Sequence, residues 1–241
     1  MGLKTLGERH RIAGEQQVIV TEVTRMTKGL VCVAALDVHT GKMVRPLQSD
    51  GSNWEEAEWV GKEIMVPGNV LSLVHSAPSY SAYPHASEDL RIASVRRLEQ
   101  AAHADLYQAC VETADKSVEA IFDGNLVDGK YVVADTECRS LGCITLLPKK
   151  LRVRDAFGKV QVSYQDNSYV WHNFPVTDLT VKNECDAAAG AAALSAKIAA
   201  SNPFCPLVLR LGLARAWDGD DKGYDPKRCY VQLNGLIVSR K

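Results

Sequence analysis

Near its start, the chain alternates hydrophobic runs with turn signals. Residues 18–23 (VIVTEV) and 30–38 (LVCVAALDV) are rich in β-branched side chains, which favour the pleated, half-buried surface of a strand. Gly29 marks the first turn and residues 39–42 (HTGK) mark the second, before the chain returns as residues 43–47 (MVRPL). Three strands joined by short turns predict a meander, which is the beginning of a small antiparallel barrel or sandwich.

The β pattern continues over the next fifty residues. A mixed strand region at 63–75 and a short strand at 89–94 are separated by loops that contain glycine and proline. Five short strands within about a hundred residues are typical of a small β-barrel, which we place at residues 17–98. Residues 1–16 are polar and have no apolar core, so we expect a flexible N-terminal arm.

Helical periodicity replaces the β pattern at residue 98. Leu98, Ala102, Leu106, Ala109 and Cys110 share one helical face, and acidic side chains lie off that face. Residues 99–138 carry nine acidic and two basic side chains. We therefore expect residues 99–138 to form an acidic helical connector.

The β pattern returns in the remaining residues, 139–241. Val160, Val162 and Tyr164 alternate with polar side chains, which is typical of a sheet with one solvent-facing side. An alanine-rich helix at 186–200 comes before the last two strands. The sequence predicts a mainly β fold with inserted helices, in which the connector joins two small antiparallel barrels. The strands predicted for the second barrel are 143–147, 151–154, 159–164, 169–172, 204–214 and 228–238.

Charge and composition narrow the function classes. The net charge is −1, but residues 139–241 carry +6, so only this part should attract polyanions. Seven irregularly spaced cysteines indicate reduced thiols rather than a metal site, and no cofactor motif occurs. No nucleophile–base motif is present, which favours a non-catalytic protein. Without a signal peptide or an apolar run of ~20 residues, we expect a cytoplasmic protein with no membrane contact.

The strongest functional signal is the basic segment 149–154 (KKLRVR). On a strand, Lys150, Arg152 and Arg154 would share one face, where they could follow a phosphate backbone. Nearby aromatic residues could stack on bases. The alternative is a solvated strand whose charges prevent edge-to-edge pairing. The candidate aromatic platforms are Tyr164, Tyr169 and Trp171.

Isolated arginines form a second group of candidates. Arg45 lies within an apolar strand, and Arg210 and Arg215 flank the apolar segment 211–214. An arginine in such a place needs a partner, which is either a carboxylate of the protein or an anionic ligand. Internal pairing is the commoner arrangement, because buried charges are usually paired. Arg215 is retained as a candidate nucleic-acid contact.

Several stretches of the chain resemble one protein family. The segment 18–47, the segment PHASEDLRI, the segment CRSLGCITLLPKKLRVRDAFGKVQVSY with FPVTDL, and the segment LRLGLARAW with CYVQLNGLIV are similar to prokaryotic dual OB-containing domain proteins, in the same order. The resemblance implies two oligonucleotide/oligosaccharide-binding (OB) barrels and nucleic-acid binding. It also implies that Arg45 of the VRP stretch and Arg139 of the RSLG stretch are ligand contacts.

Three functions remain open from the sequence. The first is a nucleic-acid-binding module without catalysis, with single-stranded DNA or RNA as the expected ligand. The second is an adaptor in which the barrels hold a protein partner. The third is a nucleotide-binding or small-anion-binding component of an enzyme system. Fold resemblance does not by itself choose among them, so the choice depends on the geometry of the candidate residues.

Overall fold

The structure, a computed structural model, describes residues 2–76, 78, 81–156, 158–165, 169–182, 187–216, 225 and 227–239. The chain divides into two compact units. The first comprises Met1–Tyr80 and Glu88–Thr113, and the second comprises Ser81–Ser87 and Ala114–Lys241.

Among the described residues, the first unit contains six strands and two α-helices. Helix α1 and helix α2 precede and follow the strands, and a short π-helical segment, Glu56–Val60, follows the fourth strand. The elements are α1 (Leu3–Arg9), β1 (Gln16–Arg25), β2 (Leu30–Asp37), β3 (Met43–Gln48), β4 (Trp54–Glu55), β5 (Asn69–His75), β6 (Asp89–Gln100) and α2 (His103–Glu112).

Five of these strands close into a barrel. The hydrogen-bonded order is β1-β5-β6-β3-β2, and β2 pairs back with β1. All these pairings are antiparallel except β3 with β6, which is parallel. Closure leaves no free edge between the five strands, and apolar side chains such as Val18, Val20 and Leu71 fill the core.

The N-terminal segment differs from the flexible arm expected at residues 1–16. Helix α1 forms there, and its Leu6 is fully buried. The Leu3 amide donates to a carboxylate oxygen of Glu112 in α2 at 3.1 Å. The arm prediction missed this because a single buried leucine in a seven-residue helix leaves almost no periodic signal.

The acidic connector predicted at residues 99–138 is likewise divided between other elements. Glu99 and Gln100 end strand β6, and α2 belongs to the first unit. From Ala114 onward the chain belongs to the second unit, in which residues 131–133 form a strand. The acidic composition of residues 99–138 could be recognised from the sequence. Its division between the two units after Thr113 depends on tertiary contacts, which composition does not show.

The second unit contains seven strands and three helices within the described residues. A 3₁₀ turn, Pro148–Lys150, separates two of the strands. The elements are α3 (Val118–Ile121), β7 (Tyr131–Val133), β8 (Leu141–Leu146), β9 (Arg152–Ala156), β10 (Lys159–Gln165), β11 (Trp171–Pro175), α4 (Leu179–Lys182), α5 (Ala187–Ala199), β12 (Leu207–Leu213) and β13 (Arg228–Ile237).

The second unit repeats the pairing order of the first, but it forms a half-barrel. One sheet has the order β7-β13-β12-β8 and the other has the order β11-β10-β9. Proline has no N–H to donate to a ladder, so Pro148 interrupts what would be one long strand and separates β8 from β9. On the other side, the isolated parallel bridge between Val176 and Leu233 joins the end of β11 to β13.

One apolar core lies beneath both sheets of the second unit. It includes Phe122, Val162, Phe174, Leu209 and Leu233, all at most 1% exposed. The predicted fold class, mainly β with two barrel-like units and few helices, is confirmed, with one unit closed and the other half-open.

Candidate nucleic-acid interface

The three-stranded sheet of the second unit has one buried and one polar side. On β10, Val162 and Tyr164 face the core, so Gln161, Ser163 and Gln165 lie on the opposite side. Strand register places Arg154 and Pro175 beside Gln161, Arg152 and Asn173 beside Ser163, and Trp171 beside Gln165. We call this side of strands β9, β10 and β11 the polar face.

Two arginines of the polar face are held by neutral neighbours. Arg154 Nη2 donates to Asn173 Oδ1 at 3.1 Å and to Gln161 Oε1 at 3.4 Å. The Arg152 guanidinium lies over the Trp171 ring, 5.2 Å from its centroid. Amide oxygens and an aromatic ring orient these cations without neutralising their charge. The positive charge is therefore available to an external anion.

Aromatic surface accompanies these charges. Trp171 is 47% exposed and Tyr169 is 81% exposed. Gln165 Nε2 donates to the Tyr169 carbonyl at 3.0 Å, which ties the turn before β11 to β10. The Trp171 ring lies next to the Arg152 guanidinium. Trp171 therefore offers an exposed ring on which a planar group can stack, on the same face as Arg152 and Arg154.

Two predicted contacts of this region are placed elsewhere. Lys150 is exposed, but it ends the 3₁₀ turn at Pro148–Lys150 and so does not continue the face of Arg152 and Arg154. Tyr164 is only 3% exposed and stacks on His172, with ring centroids 5.0 Å apart, inside the half-barrel. The prediction of Tyr164 as a stacking platform is therefore wrong, because strand alternation puts its ring on the core side.

Arg45 is buried inside the first barrel, although the family resemblance predicts it as a ligand contact. It is 4% exposed, and its Nη1 donates to Asp89 Oδ1 at 2.7 Å. Burial lowers the pKa of Arg45, but the nearby Cys32 thiol and the carboxylates of Asp89 and Glu88 outweigh burial and raise it. The side chain is a structural cation, which agrees with the internal pairing that the sequence favours.

Arg139, the other residue taken from the resemblance, is clamped between two carboxylates. Its Nη2 lies 3.0 Å from Asp115 Oδ1 and its Nε lies 3.0 Å from Asp123 Oδ1. It also donates to the Ala120 carbonyl. Burial lowers the pKa of Arg139, and the bonds and charges of Asp115 and Asp123 raise it above its ordinary value. Its charge is neutralised by the protein, so it is not placed as a ligand contact.

The other arginines considered lie on or next to other strands. Arg215 is exposed just after β12, a strand of the other sheet, and Arg210 within β12 is fully buried. Arg25 of the first unit lies 3.3 Å from a carboxylate oxygen of Glu56. Of the contacts predicted in the second unit, the structure places Arg152, Arg154 and Trp171 on the polar face.

Two neighbours of these three residues, Gln161 and Asn173, were not among the residues predicted from the sequence. Both are amides that orient Arg154. The two-residue alternation of strands could have placed both side chains on the polar face. Asn173 is two residues beyond Trp171, and Gln161 alternates with the core residues Val160 and Val162. Sequence periodicity does not show which strands pair. Their position beside an arginine therefore follows only from the pairing of the strands in the structure.

Neither a metal-binding group nor a membrane-spanning helix is present among the described residues. Within the described part of the chain, no group of three or more His, Cys, Asp and Glu side chains is arranged to hold a metal ion. Among the same residues, no helix is both long enough and apolar enough to cross a membrane.

Two solved structures are distantly similar to the chain. A murine DNA-binding protein, solved with double-stranded DNA, is 11% identical, with a TM-score of 0.35 over 94% of this chain and 97% of that chain. The HINb domain of p204 is 12% identical, with a TM-score of 0.36 over 94% of this chain and 100% of that chain. No curated protein sequence matches the chain.

One protein family matches most of the chain. Residues 16–236 match the family described as "Dual OB-containing domain". The match begins at the first residue of β1 and ends one residue before the end of β13, so it spans both units. The chain belongs to the dual OB-containing domain family.

Proposed function

We propose that this protein binds nucleic acid without catalysing a reaction on it, and that the polar face of the second unit makes the contact. The observation that carries the proposal is the exposed group of Arg152, Arg154 and Trp171 on neighbouring strands. Cations that contact phosphates, next to a ring that stacks on bases, are the two parts that such binding needs.

The position of the face within the OB fold supports the proposal. OB folds bind oligonucleotides on the surface of their second and third strands. In the second unit β8 and β9 together correspond to the first strand of the closed barrel, so β10 and β11 correspond to its second and third strands. The polar face therefore lies on the strands that OB proteins commonly use.

In the described residues of the first barrel, the corresponding strands present no equivalent surface. Its second and third strands, β2 and β3, are buried on both sides over most of their length. Ala34, Leu36 and Arg45, for example, are at most 4% exposed. Charge distribution points the same way, because residues 1–98 are neutral and residues 139–241 carry a net charge of +6. A polyanion is therefore expected on the second unit.

Fluorescence anisotropy with single-stranded DNA, single-stranded RNA and duplex DNA tests the proposal. We expect salt-sensitive binding of at least one ligand, and a loss of affinity on the order of 100-fold in R152E/R154E. Charge-assisted contacts contribute about 1.5 kcal/mol or more each, so removing two has an effect of this size. The melting temperature should change little, because both side chains are on the surface.

A matched control separates specific contact from net charge. K4E/K42E changes the net charge by the same amount at two exposed positions of the first unit, and it should retain most of the affinity. Equal loss in both double variants would mean that total charge, not the polar face, determines binding. Absence of binding to all three ligands at low salt would overturn the proposal and favour the adaptor function.

A further inference from the structure

A cleft opens beside the polar face, where the half-barrel fails to close. Strands β11 and β13 meet at the bridge between Val176 and Leu233 and separate before it. The space between them is a cavity of about 270 Å³. The residues that line it and carry the inference are Lys130, Trp171, Asn173, Tyr230 and Gln232.

Two aromatic rings lie at this cleft. Trp171 belongs to both the cleft and the polar face, so the two surfaces are continuous. Tyr230, from β13, packs against Tyr131 with ring centroids 5.6 Å apart, and the Arg228 guanidinium lies 4.6 Å from the centre of the Tyr131 ring. This stack holds Tyr230 in place, which lowers the entropy lost when a ligand packs against it.

The polar groups of the cleft suit a heterocyclic base. Asn173 and Gln232 each carry an amide, which both donates and accepts hydrogen bonds as the edges of nucleobases do. Because the Asn173 oxygen accepts from Arg154, its N–H donors remain for a ligand. Lys130 is exposed and adds a cation to the cleft.

The volume of the cleft limits the size of the ligand that it can hold. Small-molecule pockets usually measure about 300–1,000 Å³, so a cavity of about 270 Å³ suits one flat ring system rather than a larger ligand. A base in a duplex is stacked and paired, and its edge cannot enter such a space without being flipped out. An unpaired base has no such cost.

We propose that this cleft binds an unpaired nucleobase of a single-stranded nucleic acid whose phosphates contact Arg152 and Arg154. The inference rests on the proposed function and makes it more specific, because it assigns the ligand as single-stranded. The polar face supplies charge attraction for any nucleic acid, and the cleft supplies a preference for strands that carry accessible bases.

Three fluorescent ligands of ten nucleotides test the cleft: oligo(dT), an abasic strand of equal length, and a duplex. Stacking of one base contributes about a tenfold gain in affinity, so the wild type should bind oligo(dT) about tenfold more tightly than the abasic strand. The variant Q232A removes an amide from the cleft, and Q232W fills the cleft. Q232W should reduce that preference to less than about threefold. Q232A should reduce it by a smaller factor, because it removes one hydrogen-bonding amide and keeps both rings. Neither variant should change affinity for the abasic strand.

The variant Q108W is the matched control, because Gln108 is exposed on α2 of the first unit. It should keep the preference of the wild type for oligo(dT). Equal wild-type affinity for oligo(dT) and the abasic strand, or an unchanged preference in Q232W, would overturn the cleft proposal and leave the proposed function standing. If the wild type binds none of the three ligands at low salt, both proposals fall.

Discussion

The ion pair between Arg45 and Asp89 is buried inside the first barrel. The two side chains are 4% and 0% exposed, and Arg45 Nη1 lies 2.7 Å from Asp89 Oδ1. Replacing Arg45 with Met keeps a similar apolar stem but leaves the Asp89 carboxylate buried without its cation. We therefore expect R45M to destabilise the first unit strongly.

The size of the effect follows from the burial. Breaking a buried pair by removing one partner costs about 3–5 kcal/mol, whereas an exposed pair contributes about 0–1 kcal/mol. The ordinary stability of a domain is about 5–15 kcal/mol, so R45M should lose roughly a fifth or more of it. The double variant R45M/D89N removes the stranded charge as well and should recover about 2 kcal/mol of that loss.

Urea unfolding followed by tryptophan fluorescence measures this loss. Trp54 is a local reporter, because it is 3% exposed and its Nε1 donates to the Pro46 carbonyl, next to Arg45, at 2.7 Å. Replacing Trp171 and Trp217 with Phe confines the signal to the first unit, which holds the other two tryptophans.

The variant K62M is the control for R45M. It breaks the ion pair of Lys62 with Glu58, whose side chains are 60% and 52% exposed. We expect K62M to cost less than about 1 kcal/mol. A cost for R45M as small as that of K62M would refute the assignment of Arg45 as a buried structural cation, and it would restore Arg45 as a candidate ligand contact.

Two further predictions concern Tyr164 and Asp37. Y164F should leave oligonucleotide affinity unchanged, because the ring is buried against His172, whereas W171A should weaken it about tenfold by anisotropy. Burial raises the pKa of Asp37, but hydrogen bonds from Gln16, Thr40 and His39 together hold it below its ordinary value. D37N should therefore cost about 1–2 kcal/mol at pH 7. This cost should shrink in urea unfolding as the pH falls below about 4, where the wild type loses the same stabilisation.

Much of the fold follows from local patterns. Strands β1, β2 and β3 form near the predicted hydrophobic runs, because β-branched residues and short turns determine a meander locally. Alternation in β10 also predicts which residues face solvent. The same alternation places Tyr164 among the core residues Val160 and Val162, so its burial could have been predicted from the sequence.

Other features depend on contacts between distant residues. Arg45 and Asp89 are forty-four positions apart, and their pairing follows from the parallel register of β3 and β6. The half-open second barrel depends on the separation of β11 from β13, which sequence periodicity does not indicate. For the same reason, the arginines of the polar face could be predicted from the sequence, but the cleft next to them could not.

The salt dependence of single-strand binding tests the central claim, that the polar face contacts phosphates, most directly. The slope of log affinity against log salt changes by about 0.7 for each phosphate contact on a single strand. The variant R152M/R154M should therefore have a slope that is shallower by about 1.4 than that of the wild type, and the control K4M/K42M should keep the wild-type slope. Equal slopes for all three proteins would contradict the claim that Arg152 and Arg154 contact the nucleic-acid backbone.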